Sequence, residues 1–237
     1  KISFTKPSIL SIEYFRSASG LDFRIWILEL RNSVYYELIE RRYSLTLGIL
    51  GHFRHLLIPL KEGPIASMFI TLEGIEGSGK TTQMRQLSAS LENRGHACVL
   101  TREPGGTVLG ERIRAILLDP ASSELVPAAE LLLYMADRAQ HINSLIKPCL
   151  ADGKVVLCDR YFDATVVYQG FARGLDTGLI CDLHRIIFDD LKPDITFLLD
   201  LAPQIGLARA RKQLDNGTRS GTESRFEEET ISFHEKV

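Results

Sequence analysis

The chain has 237 residues, of which 45% are hydrophobic and 24% charged, and its formal net charge is −2. This composition is typical of a globular protein, and it provides no overall positive charge of the kind that attracts a nucleic-acid polymer. No apolar run reaches the roughly 18 residues that indicate a membrane-spanning helix, so we expect neither nucleic acid nor membrane among the partners.

The cysteine pattern indicates the compartment. The four cysteines form no CxxC pair and no spacing typical of a metal site, which favours cysteines that act as small hydrophobes in a reducing environment. The sequence also lacks the basic start, apolar middle and small-residue cleavage site of a secretory signal. We therefore expect a cytoplasmic protein.

The first 67 residues differ in character from the rest. They end near the turn-forming stretch Glu62–Pro64, just before Met68. Their clearest pattern, Phe23–Ile39, has apolar residues at helical spacing and predicts an amphipathic helix. We treat residues 1–67 as an N-terminal extension of unknown role. We favour the hypothesis that Met68 is the true start and that the upstream part is a leader, a tag or an irregular appendage rather than a native domain.

From Met68 onward, short apolar runs alternate with amphipathic helical windows. This alternation predicts an α/β fold in which a central parallel sheet is covered by helices on both faces, a three-layer sandwich. The predicted strands are Phe69–Glu73, Ala97–Thr101, Val155–Asp159 and Ile195–Asp200. The predicted helices are Lys80–Arg94, Val108–Leu118, Pro127–Lys147, Asp176–Asp190 and Pro203–Leu214, the second of them capped by Thr107.

A glycine-rich segment lies between the first predicted strand and the first predicted helix. Its residues are Gly74, Ile75, Glu76, Gly77, Ser78, Gly79, Lys80 and Thr81, followed by Thr82, and they fit GxxxxGK[ST]. The glycines let backbone N–H groups face phosphate oxygens, and the helix N-terminus adds about half a positive charge. Lys80 would then reach the outer phosphates. The alternative, a glycine-rich turn with a capping threonine, is less consistent with this strand-to-helix context.

Two oxygen-bearing residues are candidates for binding Mg²⁺. Thr81 follows the P-loop lysine, where a hydroxyl can contact an ion that bridges two phosphates. Asp159 ends a predicted buried strand, and ligands of open parallel sheets collect at the carboxyl ends of the strands. We therefore expect Asp159 to reach the same ion, directly or through water.

A P-loop alone indicates only nucleoside triphosphate binding, because GTPases, helicases, transport ATPases and small-molecule kinases all contain one. The sequence has neither the guanine-reading NKxD nor the switch motif DxxG. It does contain many arginines in predicted loops and on helix faces, namely Arg102, Arg114, Arg138, Arg160, Arg211, Arg219 and Arg225. Transfer between two phosphate esters needs such cations, because the two anions repel each other. These features favour a kinase.

Several segments together resemble bacterial thymidylate kinases, in the same order and at the same spacing. They are FITLEGIEGSGKTT at 69–82, TREPGGT at 101–107 with GERIR at 110–114, YMADR at 134–138, and DRY at 159–161 leading to YQG at 168–170. The resemblance covers residues 68–237. It implies a P-loop kinase domain that uses ATP and Mg²⁺ to phosphorylate dTMP to dTDP by direct in-line transfer, for dTTP synthesis.

The resemblance places the acceptor base on the predicted helix at 127–147. Tyr134 and Arg138 are four residues apart and so project from one face. Tyr134 corresponds to the family's stacking aromatic, and Arg138 to the arginine that holds the thymine edge. Without the matching motif, the same pair would read as a core tyrosine with a surface arginine. The resemblance adds Glu103, Thr165 and Gln169 to the acceptor site.

The resemblance also implies how the acceptor's phosphate and sugar are bound. Arg114 and Arg160 correspond to the arginines that grip the monophosphate, for which a guanidinium fork is well suited. Glu76 corresponds to the acid that senses the deoxyribose 3′-hydroxyl, and Tyr168 to the tyrosine that excludes a ribose 2′-hydroxyl. The sequence departs from the family at Ala164, where a hydroxyl residue is common.

The stretch from residue 211 to 225 has glycines and hydroxyl residues but no apolar run, which predicts a mobile lid, with a solvated surface loop as the alternative. Some family members carry a catalytic arginine in the P-loop, but Ile75 and Glu76 cannot take that role, so the lid must supply it. Arg225 is the first candidate and Arg219 the second. With Lys80, Asp159 and Arg160 they complete the predicted catalytic set.

The resemblance implies a last strand and helix beyond Val237, so we expect a domain truncated at its C-terminus. A homodimer is possible. Two alternatives stay open at this stage: a kinase for another nucleoside monophosphate, and a nucleotide-binding module without turnover.

Overall fold

The computed structural model describes the backbone of residues 12–16 and 22–30, and residues 67–215 and 223–237 in full. Arg219, part of the predicted lid and the second half of the helix predicted at Phe23–Ile39 lie outside these ranges.

One sheet contains all the strands of the described residues. In chain order they are β1 (Ile12–Arg16), β2 (Asp22–Leu30), β3 (Met68–Glu73), β4 (Cys98–Arg102), β5 (Val155–Asp159) and β6 (Ile195–Asp200). The spatial order is β1-β2-β6-β3-β5-β4. The strands β6, β3, β5 and β4 are mutually parallel, whereas β2 pairs antiparallel with both β6 and β1. The predicted parallel sheet is therefore present, with an antiparallel pair added at one edge.

Helices connect the parallel strands, and two more follow the last strand within the described residues. They are α1 (Lys80–Glu92), α2 (Val108–Leu118), α3 (Pro127–His141), α4 (Lys147–Ala151), α5 (Phe162–Thr165), α6 (Thr177–Phe188), α7 (Pro203–Asp215) and α8 (Ile231–Lys236). The predicted cap of α2 is confirmed, because the side chain of Thr107 accepts a hydrogen bond from the Gly110 N–H. A π-helical turn, Ile142–Ile146, joins α3 to α4 within the stretch predicted as one long helix.

The amphipathic helix predicted at Phe23–Ile39 is wrong for its first eight residues, which belong to β2. Half of these eight residues are β-branched or aromatic, types that are enriched in strands because they pack well on a pleated surface. Pairing on both sides decides the outcome, since Ile25 lies opposite Glu13 of β1 and Leu199 of β6. Helical spacing within one segment cannot reveal such partners.

Side chains of β3 alternate between two apolar cores, one on each face of the sheet. Ile70 and Leu72 pack with Leu87 of α1 on one face. Phe69 packs with Met135 of α3 and Ile180 of α6 on the other. The sheet is thus buried between two helical layers, as predicted for a three-layer sandwich. None of the helices in the described ranges combines the length and apolarity needed to cross a bilayer.

Candidate active site

The P-loop lies between β3 and α1, where the sequence predicts it. Gly74, Gly77 and Gly79 all have positive φ angles, which L-residues with side chains rarely adopt. The Lys80 Nζ folds back over the loop and donates to the carbonyl oxygens of Gly74 (2.8 Å) and Ile75 (3.1 Å). Burial and the nearby charge of Arg160 lower the pKa of Lys80 to about 8. An incoming phosphate would favour the charged form of this lysine.

The loop is in direct contact with α7. A Cβ at Gly77 would overlap the carbonyl oxygen of Gly206, and a Cβ at Gly206 would overlap the carbonyl oxygen of Glu76. Arg209, one turn further along α7, lies 3.4 Å from the Gly77 carbonyl oxygen through Nη1. The shape of the phosphate loop therefore depends on two glycines 129 positions apart, because only glycine permits so close an approach of two backbones.

Two predicted metal ligands lie together beside the P-loop. The Thr81 hydroxyl donates to Asp159 Oδ2 at 3.0 Å, although the two residues are 78 positions apart. Asp159 ends β5, which is the neighbour of β3 in the sheet. A hydroxyl and a carboxylate oxygen are hard donors, which suit Mg²⁺.

Glu76, inside the P-loop, is bound by two of the residues predicted for the acceptor site. Arg160 Nη2 donates to Glu76 Oε1 at 2.7 Å, and the Tyr168 hydroxyl lies 2.8 and 3.0 Å from the two carboxylate oxygens. Burial alone would raise the pKa of Glu76, but the charges of Arg160 and Lys80 and the Tyr168 hydrogen bond bring it below its ordinary value. Glu76 is therefore a carboxylate at neutral pH.

Arg160 itself has an unusual backbone. Its φ is 68°, a left-handed conformation that is uncommon for a residue with a side chain. Its N–H donates to the Leu72 carbonyl oxygen at 3.0 Å, and the next N–H, of Tyr161, donates to Glu73 Oε1 at 2.8 Å. Glu73 is buried, and burial together with the charge of Asp163 raises its pKa to about 8.

Arg138 is buried in a polar network behind the acceptor site. Its Nε donates to Glu103 Oε2 at 2.7 Å, and its Nη2 donates to the Tyr161 carbonyl oxygen (3.0 Å) and to Thr165 Oγ1 (2.8 Å). Its Nη1 has no hydrogen-bond partner within the described parts of the chain. Burial would raise the pKa of Glu103, but Arg138 and His141 hold it below its ordinary value.

His141 supports Glu103 from the other side. Its Nδ1 lies 2.9 Å from Glu103 Oε1, and its Nε2 lies 2.6 Å from the Thr101 hydroxyl. Because a carboxylate can only accept, Nδ1 carries the proton and donates to Glu103. Thr101, His141, Glu103 and Arg138 thus form one chain of hydrogen bonds that fixes the Arg138 guanidinium.

Arg114 is engaged by an acidic side chain. It donates from Nε and Nη2 to the two carboxylate oxygens of Glu223 (3.1 and 2.8 Å), and from Nη1 to the Pro104 carbonyl oxygen (2.9 Å). This paired, planar geometry is also the one in which a guanidinium binds a phosphate. The Glu223 carboxylate thus contacts the guanidinium group of Arg114, the residue that the resemblance assigns to the acceptor monophosphate.

Arg225 and Gln169 meet a common partner. Both donate to Glu130, which is completely buried, and Arg173 also contacts its two oxygens at 3.3 Å. Arg225 also donates to the Leu117 carbonyl oxygen at 2.9 Å. The described contacts of Arg225 are thus with the protein interior.

A single cavity of about 960 Å³ brings the predicted residues together, at the upper end of the usual range for small-molecule sites. Its lining includes P-loop residues and most of the predicted acceptor residues, namely Glu76, Gly77, Lys80, Thr81, Thr82, Glu103, Arg114, Tyr134, Asp159, Arg160, Tyr168 and Gln169. Arg138 and Thr165 lie directly behind Glu103 and Tyr161.

Sequence reasoning missed several residues of this network, namely Glu73, Glu130, His141 and His234, which are buried, and Glu223, which is half-buried. Two of them carry a signal in the sequence. Glu73 is a carboxylate at the end of an apolar run, and His141 lies three residues after Arg138, so it shares a helix face with it. The others show their role only through partners distant in the chain, such as Glu76, which lies 3.8 Å from His234 Nδ1.

Comparison with known proteins identifies the family of this chain. Residues 72–237 match the family model described as thymidylate kinase. The thymidylate kinase of Desulfosudis oleivorans is 56% identical over 170 residues, which cover 72% of this chain and 79% of that protein. The thymidylate kinase of Geobacter sulfurreducens is 53% identical over 169 residues, covering 71% of this chain and 79% of that protein.

A solved structure of a thymidylate kinase is also similar to this chain. The crystal structure of thymidylate kinase from Ehrlichia chaffeensis superposes with a TM-score of 0.55 at 41% sequence identity, covering 65% of this chain and 87% of that one. The P-loop NTPase fold predicted from the sequence is thereby confirmed. The chain belongs to the thymidylate kinase family.

Proposed function

We propose that this chain transfers a phosphoryl group from ATP to dTMP, giving dTDP, and that the residues of the 960 Å³ cavity carry the reaction. The observation that supports this most strongly is the continuity of the cavity. It joins the P-loop lysine, Lys80, to Arg114 and Arg160 and to Tyr134 on α3. Donor and acceptor nucleotides can therefore meet in one space, with cations between their phosphates.

The acceptor base would lie against Tyr134 and be read by Arg138. The buried Nη1 of Arg138 is a donor without a partner in the described residues, and an unsatisfied buried donor costs about 1–3 kcal/mol. A base whose carbonyl oxygen came within reach of Nη1 would satisfy this donor. A base with an amino group in that position would not, and on this basis we propose selection of thymine or uracil over cytosine.

Glu76 and Tyr168 would bind the sugar. The carboxylate of Glu76 can accept a hydrogen bond from a 3′-hydroxyl, and it is held in place by Arg160 and Tyr168. Tyr168 is buried against Phe226 and Phe233, with ring centroids 5.4 and 6.0 Å apart. A ring packed this firmly would resist displacement by an additional 2′-hydroxyl.

Phosphoryl transfer depends mainly on positioning and charge rather than on a general base. P-loop amides of residues 74–82 and Lys80 would bind the ATP phosphates. Arg160 and Arg114 would bind the acceptor phosphate, Arg114 by exchanging the Glu223 carboxylate for it. The transferring group is then surrounded by cations that stabilise the charge of the transition state.

Mg²⁺ is part of the proposal. The Thr81 hydroxyl and the Asp159 carboxylate fit such an ion, because both are oxygen donors and they already contact each other beside the P-loop. The described residues contain no group of three histidine, cysteine or acidic side chains able to hold a metal. The two oxygen donors Thr81 and Asp159 therefore suit an ion that takes its remaining ligands from phosphates and water. When bound, the ion would neutralise phosphate charge.

The domain limits and the catalytic arginine also belong to the proposal. We assign residues 68–237 to the kinase domain and about 211–225 to a lid, with residues 1–67 as an extension. Arg225 and Arg219 stay the candidates for the arginine that contacts the transferring group. Arg225 would have to leave Glu130 to do so, because Glu130 is its partner in the structure.

Two further parts of the proposal concern the oligomeric state and the location of the protein. A homodimer is supported by exposed apolar side chains on α3 and α6, including Leu132 and Ile186. A cytoplasmic location is supported by the four cysteines, all of which are free thiols. Light scattering of the purified protein tests the dimer.

A panel of acceptors tests the function. The purified chain is incubated with ATP, Mg²⁺ and one of dTMP, dUMP or dCMP, and acceptor-dependent ADP release is measured. We expect turnover with dTMP and weaker turnover with dUMP, because one methyl group in a pocket contributes only about 1–3 kcal/mol. We expect much less with dCMP, whose amino group faces the Arg138 donor.

Two results would contradict the proposal. A preference for dCMP or another monophosphate over dTMP would identify a different nucleoside monophosphate kinase. Binding of dTMP and ATP without ADP release would identify a nucleotide-binding module. A matched control is Lys147→Ala, because Lys147 is an exposed residue of α4 whose contact is with the surface residue Asp189, and it should leave the preference unchanged.

A further inference from the structure

The turn that carries Arg160 is held in a costly conformation by contacts from β3. Arg160 has a φ of 68°, which a residue with a side chain adopts only when its surroundings impose it. Two hydrogen bonds impose it here, from the Arg160 N–H to the Leu72 carbonyl oxygen (3.0 Å) and from the Tyr161 N–H to Glu73 Oε1 (2.8 Å). The second depends on a side chain and can therefore be removed by substitution.

We propose that Glu73 is a positioning residue for Arg160. By accepting from the Tyr161 N–H, its carboxyl group holds the turn that points the Arg160 guanidinium at Glu76 and at the acceptor phosphate. This inference rests on the proposed function for the identity of the phosphate, but the effect on the Arg160 backbone does not.

The next peptide unit, on the other side of Tyr161, is held as well. Arg138 Nη2 donates to the Tyr161 carbonyl oxygen at 3.0 Å. The peptides on both sides of Tyr161 are therefore fixed, one by a residue at the end of the P-loop strand and one by the residue proposed to read the base. Glu73 thus links the phosphate loop, which begins at Gly74, to the arginine that binds the acceptor.

Glu73 is a buried acidic residue, and its described hydrogen bond is the one to the Tyr161 N–H. A carboxyl group in an apolar strand is costly unless it is hydrogen-bonded, and the bond to Tyr161 crosses 88 positions of the chain. Burial and the charge of Asp163 raise the pKa of Glu73 to about 8. Glutamine, which is neutral and keeps the accepting oxygen, is therefore a close substitute at pH 7.

Three single variants test the inference. Glu73→Gln keeps an acceptor for the Tyr161 N–H, whereas Glu73→Met fills a similar volume without one. Thr71→Val is the matched control, because Thr71 points to the same face of β3 two residues earlier and its buried hydrogen bond goes to Thr196 of β6 (2.9 Å), not to the Arg160 turn.

We expect Glu73→Met to lower kcat/KM for dTMP by about 100-fold, because a displacement of about 1 Å in a positioning group has that effect. The KM for ATP should change little, Glu73→Gln should retain most of the activity, and Thr71→Val should lose stability but not dTMP specificity. In an Arg160→Ala background, Glu73→Met should cost no further activity. Additive losses in that double variant would overturn the inference.

A crystal structure of Glu73→Met gives a readout that does not depend on activity. We expect the φ of residue 160 to leave the left-handed region and the Arg160–Glu76 contact to break. A turn and a contact unchanged from those described above would overturn the inference even if the variant were inactive. If the unmodified chain binds dTMP and ATP but does not transfer phosphate, the proposed function is refuted, while the variant structure still decides the role of Glu73.

Discussion

Replacing Arg138 by methionine should cost the fold about 3–5 kcal/mol, which is the range for removing one partner of a buried ion pair. The structure places Arg138 in this range because both members of the pair are almost fully buried, with side-chain exposures of 1% and 2%, and Nε lies 2.7 Å from Glu103 Oε2. Methionine fills much of the volume, so the main loss is electrostatic. His141 still contacts Glu103, but the cation is gone.

The cost should depend on pH. In the unmodified chain the pKa of Glu103 lies below its ordinary value of 4.5, so the pair stabilises the fold above that pH and is lost as the pH falls through the depressed pKa. In the variant, burial without Arg138 raises the pKa of Glu103, and mild acid then removes the uncompensated charge. The difference in stability should therefore be largest at neutral pH and shrink toward pH 4.

Urea unfolding of both proteins at neutral pH and near pH 4 measures this difference. Adding Glu103→Gln to the Arg138→Met variant serves as the matched control, because it removes the stranded charge and should recover part of the loss at neutral pH. Equal urea midpoints at neutral pH, or a difference that grows on acidification, would refute the reasoning.

Lys80→Ala should lower the rate of transfer to dTMP by about 10²–10³, the cost of losing one preorganised charge donor, while circular dichroism stays native. Glu223→Gln should lower the KM for dTMP, measured by steady-state kinetics, because a phosphate would no longer compete with a carboxylate for Arg114. Arg225→Met should lower the urea midpoint, because the buried Glu130 loses a charged partner.

Each of these three outcomes can fail. Transfer by Lys80→Ala at the original rate would remove the P-loop from the mechanism. An unchanged or higher KM for Glu223→Gln would mean that Arg114 does not exchange the carboxylate for phosphate. A native urea midpoint for Arg225→Met, together with a large loss of kcat, would favour the catalytic role of this arginine over the interior one.

The parallel part of the sheet could be predicted from sequence because its signals are local. Each strand is a short apolar run. The glycines of the P-loop mark the junction of β3 and α1, and in the structure they have positive φ angles. The antiparallel strand β2 could not be predicted in this way. Its apolar residues also fit a helical spacing, and its pairing with β6 joins segments about 170 positions apart.

The candidate site shows the same division. The cavity contains residues that the motifs predicted, such as Lys80, Arg114 and Tyr168. The partners that hold them were not predictable, because a hydrogen bond between Glu73 and Tyr161 exists only once β3 and β5 lie side by side. Motifs mark the residues that would meet a ligand, whereas the packing that orients those residues depends on the whole fold.

The contact between the P-loop and Gly206 connects the active site to α7, a helix that contains none of the predicted binding or catalytic residues. Gly206 leaves room for the Glu76 carbonyl oxygen, and Gly77 leaves room for the Gly206 carbonyl oxygen. A methyl group at position 206 would overlap the Glu76 carbonyl oxygen and must therefore move either the helix or the loop. A larger residue at position 206 should therefore lower the affinity for ATP, because it displaces the backbone of the phosphate loop that the helix contacts.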